Sequence, residues 1–130
     1  MHTTRLSNES NSIATGLSAT YVLGGESVLR TSPRSFLEWI DVVRHGISAR
    51  SIDSVVRVMG IAQSELSIAL DIPERTLARR KKEGFLSADE SGKLVRLAQV
   101  IERAVEVFED EKKALGWLKS KNSALGGSTP

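Results

Sequence analysis

"QSELSIALDIPERTLAR", residues 63–79, reads as two short helices with a tight corner between them. Gln63 opens the first helix. Leu66 and Leu70, four residues apart, face inward, and the small Ser67 lies where the second helix crosses closely. Asp71 takes the turn, Ile72 plugs the corner and Leu77 anchors the second helix. This is the spacing of a helix-turn-helix, whose second helix enters the major groove of DNA. The turn position more often holds glycine, because it needs positive φ. Aspartate is among the few other residues that tolerate that region, so Asp71 weakens the motif without breaking it.

The second helix carries Glu74, Arg75, Thr76, Arg79, Arg80, Lys81 and Lys82. An arginine fork can grip O6 and N7 of guanine, while lysine and a threonine hydroxyl suit phosphate oxygens. The helix start (Glu74, Arg75, Thr76) and Arg79 one turn on are placed for bases. Arg80, Lys81 and Lys82 are expected on the DNA backbone, and Gln63 joins the candidate surface from the start of the first helix. A basic run near a helix end can also simply complement the helix dipole. That accounts for two of these charges and leaves the others unexplained.

Working outward, Ser32-Pro33 offers a helix cap and a first-turn proline. Phe36, Leu37, Ile40 and Val43 then recur at helical spacing up to Gly46. Ile52, Val55, Val56 and Met59 mark another helix ending at Gly60. Ser87-Ala88-Asp89-Glu90 has capping-box spacing, which predicts a long helix over about 88–108. Its stripe of Leu94, Leu97, Ala98, Ile101, Val105 and Phe108 is widened by Val100, Ala104 and Val107 to roughly half the circumference, beyond the ~100° of an ordinary surface helix. Such a helix is either central to the fold or also covered by a partner. Asp110 can cap a last helix bearing Ala114, Leu115, Trp117 and Leu118. No alternating strand pattern competes, so the expected fold is all-α. Residues 1–31, rich in Ser, Thr, Asn and Gly, read as a flexible N-terminal arm. Its apolar island Tyr21-Val22-Leu23 could instead dock on the body or pair as a strand.

Composition narrows the function classes. The 130 residues suffice for one domain or two small ones, 40% are hydrophobic, and the net charge is only +2. The absence of cysteine removes disulfides, thiol nucleophiles and thiolate metal sites, and fits a cytoplasmic protein. No apolar run approaches the ~20 residues of a membrane span, and the N-terminus lacks a signal-peptide core. His2 and His45 show no metal-ligand spacing, and His45 before Gly46 reads as a helix-end residue. Nucleophile elbows and Gly-rich phosphate loops are missing. The acidic pairs fall at helix starts, where the dipole favours them. No catalytic residue, metal site or cofactor is expected.

The stretch from Gly84 onward adds a second signature. Leu-Ser-x-x-Glu-Ser (86–91), Leu-x-x-Leu-Ala (94–98), Val107-Phe108, Ala-x-x-Trp-Leu (114–118) and Asn122-x-Ala-Leu-Gly-Gly-x-x-Pro occur in order. As a set they resemble the C-terminal domain of the Xre/MbcA/ParS antitoxins of bacterial type II toxin–antitoxin systems. With the helix-turn-helix, the resemblance covers about residues 33–130. It implies an Xre/Cro-like helix-turn-helix domain over 32–86, followed by a small helical toxin-binding domain over 87–130. The implied antitoxin is not an enzyme. It would bind operator DNA, repress its operon and neutralise a toxin, typically a RES-domain, NAD-consuming protein or an ADP-ribosylating relative. A homodimer and a toxin–antitoxin hetero-oligomer are expected. The expected toxin or dimer interface comprises Val100, Ala104, Val107, Trp117, Leu118 and Leu125. In this family the Gly-Gly-x-x-Pro connector leads into a further helix, so Gly126-Gly127 to Pro130 reads as a truncation point, the alternative being a natural end. A solitary DNA-binding regulator, and an interaction module with the helix-turn-helix as scaffold, are the competing functions.

Overall fold

The computed structural model describes residues 17–127, with side chains described as far as Ser120. Among these residues the elements are helical: α1 (Ala19–Val22), α2 (Glu26–Leu29), α3 (Phe36–His45), α4 (Arg50–Met59), α5 (Gln63–Leu70), α6 (Glu74–Glu83), α7 (Ala88–Phe108) and α8 (Glu111–Gly127). No strand forms among them, and a single antiparallel bridge joins Ser48 to Phe85. Ile52, Val55, Leu66, Leu77, Leu94 and Ile101 are fully buried and join α4 through α7 in one aliphatic core. α7 is the spine, packing against α1, α3 and α8.

The links between helices are tied by backbone contacts. Leu86 N–H donates to the Ile47 carbonyl (3.0 Å) and Ala49 N–H to that of Gly84 (2.8 Å), so the α3–α4 and α6–α7 connections run side by side. Gly46 makes this approach possible. Its φ is +83°, and a Cβ there would lie 2.5 Å from the Leu86 carbonyl oxygen. Ser91, buried on α7, accepts the Ile47 N–H at 2.9 Å.

Residues 17–31 settle the open question about the N-terminal arm. They are not a loose segment: Leu17, Ala19, Val22, Leu23 and Leu29 are buried in the core. The island forms α1, capped by Ser18, whose hydroxyl accepts the Tyr21 N–H. A four-residue helix leaves its last carbonyls without intrahelical partners. Here Ser54 and Ser51 of α4 donate their hydroxyls to the carbonyls of Val22 (2.8 Å) and Leu23 (2.7 Å). Glu102 of α7 accepts the Ala19 N–H at 3.3 Å, and burial raises its carboxyl above the usual carboxylate range. Residues 1–16 lie outside the described residues.

The first body helix also starts differently from the sequence expectation. Ser35, not Ser32, caps α3 by accepting the Glu38 N–H, while the Glu38 carboxylate accepts the Arg34 N–H at 2.7 Å. Pro33 precedes the helix and is buried. Phe36 and Leu37, expected inward, are 78% and 73% exposed. Trp39, Val42 and Val43 provide the packing instead. Phe36 shares a face with Trp39 and Val43 but overhangs an open groove against α7 of about 400 Å³. Leu37 lies about 100° further round the helix.

Candidate DNA-recognition helix and partner groove

The helix-turn-helix has the geometry its residues dictate. Gln63 opens α5, Leu66 and Leu70 are buried, and Glu65 accepts the Ala62 N–H at 2.8 Å. Asp71 adopts φ 57°, ψ 46°, the left-handed conformation the corner needs. Ile72 fills the corner, and Leu77 is the fully buried anchor of α6.

The basic run of α6 divides by exposure and by partner. Glu74, Arg75, Arg79 and Lys82 are exposed, with Thr76 half-buried beside them. Arg79 makes a long contact with Glu83 (3.7 Å), and among the described residues no ion pair engages Arg75 or Lys82. At about 100° per residue, Arg75, Arg79 and Lys82 fall within some 60° of one another. Arg80 and Lys81 project to opposite flanks of that face, and both make ion pairs within the protein. Arg80 is half-buried against α7. Its Nε and Nη2 donate to Glu90 Oε1 (2.7 Å) and Oε2 (3.0 Å), a two-point grip on α7, and Nη1 donates to Glu83 (2.9 Å). Lys81 Nζ is held 2.8 Å from Asp53 of α4 and donates to the Gln63 side-chain oxygen, also at 2.8 Å. Gln63 therefore has its amide oxygen engaged, whereas its amide nitrogen remains a donor.

Glu90 has two structural duties. It closes the capping box of α7, accepting the Ser87 N–H at 2.9 Å while the Ser87 hydroxyl accepts the Glu90 N–H. The Arg80 guanidinium, and after it the Ser87 N–H, hold its carboxyl down at about 2, from an ordinary 4.5. Glu90 in turn raises the guanidinium further above its usual range. A carboxyl lowered in the folded state stabilises the fold above its unfolded value, and that stability is lost as pH falls from about 4.5 towards 2. Glu90→Gln should therefore melt below the parent chain at neutral pH, and the gap should shrink through that window. Thermal melts at several pH values check this; a gap constant with pH would exclude the carboxylate as its source.

The second candidate surface lies between α7 and α8. Val100, Val107, Phe108 and Trp117 line an apolar groove of about 500 Å³, rimmed by Arg96 and Arg103. Phe108 and Trp117 pack ring against ring with centroids 5.6 Å apart. Val107 is 65% exposed, Val100 43% and Trp117 44%. Ala104 and Leu118, expected at an interface, are instead buried, because α8 docks on α7 and takes Ala104, Ala114 and Leu118 into the core. Ala104 still forms the groove floor. Leu125 lies outside the residues whose side chains are described. Among the described residues no group of His, Cys, Asp or Glu could hold a metal ion, and no helix is long and apolar enough to cross a membrane.

Fold and surfaces together define a helix-turn-helix protein with an appended helical pair. Residues 38–99 match the Antitoxin Xre-like helix-turn-helix domain, and residues 103–130 match the Antitoxin Xre/MbcA/ParS C-terminal toxin-binding domain. Both matches are to domains of Xre-like antitoxins, and together they span 90 of the 130 residues. The two matches meet within α7. A protein named Antitoxin Xre from Yersinia enterocolitica is 32% identical over 93 residues, covering 70% of this chain and 63% of that one. Another Antitoxin Xre, from Photorhabdus laumondii, is 28% identical over 91 residues, covering 68% and 62%. This chain thus spans less than two thirds of the length of either relative. No solved structure matches it.

Proposed function

We propose that this chain is an antitoxin that binds a cognate toxin through the α7–α8 groove and represses its own operon through α6. The observation that carries the reading is the pairing of two unlike surfaces in one chain. The helix in the recognition position presents Arg75, Arg79 and Lys82 on one exposed face, and the α7–α8 pair, whose residues from 103 onward match a toxin-binding domain, presents an open apolar groove. Arg75 and Arg79 read base edges, Glu74 and Thr76 assist at the helix start, and Lys82 meets the backbone. The repressor works as a homodimer on a two-fold-related site, the geometry by which single recognition helices commonly gain specificity. The toxin is of the RES type and consumes NAD, in keeping with the family resemblance, and the antitoxin supplies no catalytic step and no cofactor.

DNA binding is tested by titrating a duplex from the chain's own promoter region at several salt concentrations. Log K should fall with log salt by about 0.9 per phosphate neutralised. Arg75→Ala and Arg79→Ala should each weaken base discrimination by about 1–3 kcal/mol. Lys82→Ala should weaken all sequences alike and flatten the salt slope by about one contact. Binding that ignores salt would exclude the repressor reading.

A further inference from the structure

We infer that Glu90 of α7 and Asp53 of α4, two acids outside the recognition helix, are positioning residues for DNA recognition because they fix the rotation of α6 about its own axis. The inference rests on the reading of α6 as the recognition helix. α6 is ten residues long, and Leu77 is its one fully buried side chain among the described residues. That anchor, with the backbone bond from Ala49 N–H to the Gly84 carbonyl at the C-cap, locates the helix and leaves its roll to contacts on its flanks. Base readout depends on that roll, since an arginine fork must meet O6 and N7 of a guanine in the plane of the base.

The two flanks of α6 supply what the single anchor lacks. Arg80 and Lys81 are adjacent in sequence, yet they project to opposite sides of the exposed Arg75, Arg79 and Lys82 face. On one side, the Arg80 guanidinium is gripped at two points by Glu90, at 2.7 and 3.0 Å. On the other, Lys81 is held by Asp53 at 2.8 Å. Planar bidentate pairing restrains orientation as well as distance. Two struts on opposite flanks resist rotation in both senses. Each acid also places a negative charge close to a basic surface, so its removal favours DNA binding electrostatically while loosening geometry. That opposition gives the positioning role its own signature.

The test uses the full chain and two duplexes of equal length: one selected from a randomised library by the parent chain, and a scrambled sequence of the same composition. Glu90→Gln, Asp53→Asn and the double variant are compared, with circular dichroism confirming the fold. The double variant should lose about tenfold or more of the selected-to-scrambled affinity ratio. Its affinity for the scrambled duplex should hold or rise, and its salt slope should not flatten. General destabilisation would instead lower both affinities. If Glu90→Gln fails to fold because Arg80 loses its carboxylate partner, Asp53→Asn decides alone, since Asp53 is exposed and caps nothing. An unchanged ratio in the folded variants overturns the inference. If the parent chain selects no duplex, or Arg75→Ala leaves the ratio unchanged, the recognition-helix reading itself has failed.

Discussion

Leu23→Ala should lower the stability of the folded chain by about 2–5 kcal/mol, the range for truncating a fully buried leucine. Leu23 follows α1, has no exposed surface, and lies in the same core as Ile52 and Ile101. Ile101→Ala, in the middle of α7, is the reference, and the two losses should be comparable. Ser51→Ala should add a smaller cost of about 1–3 kcal/mol, because the buried Leu23 carbonyl then loses its donor. Denaturant unfolding followed by tryptophan fluorescence and by circular dichroism measures both. A Leu23→Ala loss within about 0.5 kcal/mol, the range of an ordinary surface substitution, would show that residues 17–31 are dispensable to the core.

That prediction turns on a segment the sequence half concealed. Tyr21-Val22-Leu23 is three apolar residues in a polar stretch, and helices of four residues are not stable by local propensity. α1 exists because α4 and α7 receive it, and no window of residues 1–31 contains that information. A trace of it lies in α4, where Ser51 and Ser54 share the buried face with Ile52 and Val55. Two serines on the apolar side of a helix imply acceptors from elsewhere in the chain. The helix-turn-helix was legible for the opposite reason. Leu66, Leu70, Ile72 and Leu77 lie within a dozen residues, and Asp71 is one of few residues suited to the corner. The start of α7 was equally local, since Ser87 and Glu90 close their box three residues apart. The pairing of Arg80 was not legible because it sits in a continuous basic run, and only helical rotation separates it from Arg79. Its partner Glu90 was visible as a cap. Nothing in one-dimensional spacing says that a capping carboxylate also faces the preceding helix. Ala104 belonged to the broad apolar arc of α7 and Leu118 to the packing residues of α8, but how α8 docks decides which part of that arc stays open.

The open part of the arc carries the other large effect. If the proposed antitoxin function holds, Val107→Lys should abolish protection by this chain against its cognate toxin, while leaving the isolated chain folded. Val107 is 65% exposed on α7, so in the free protein a charged side chain can reach water, with a stability change of about 0.5 kcal/mol or less. Once a partner fills the groove, the same ammonium is cut off from solvent. Arg103, one turn away, and Arg96 form the rim, so neither neutralises it. Leaving a charge buried and unpaired costs about 3 kcal/mol or more, upwards of a hundredfold in affinity. Val107→Ile keeps the apolar character and should protect like the parent chain. Growth and NAD levels on co-expression with the toxin provide the readout, with a thermal melt of each variant as the folding control. Light scattering of the antitoxin alone then separates the two possible occupants of the groove. If Val107→Lys turns a dimer into a monomer and protection survives, a second copy of the chain covers this face and the toxin docks elsewhere. If it remains folded and protective with its association unchanged, the groove is not an interface, and the width of the apolar arc on α7 serves the fold alone.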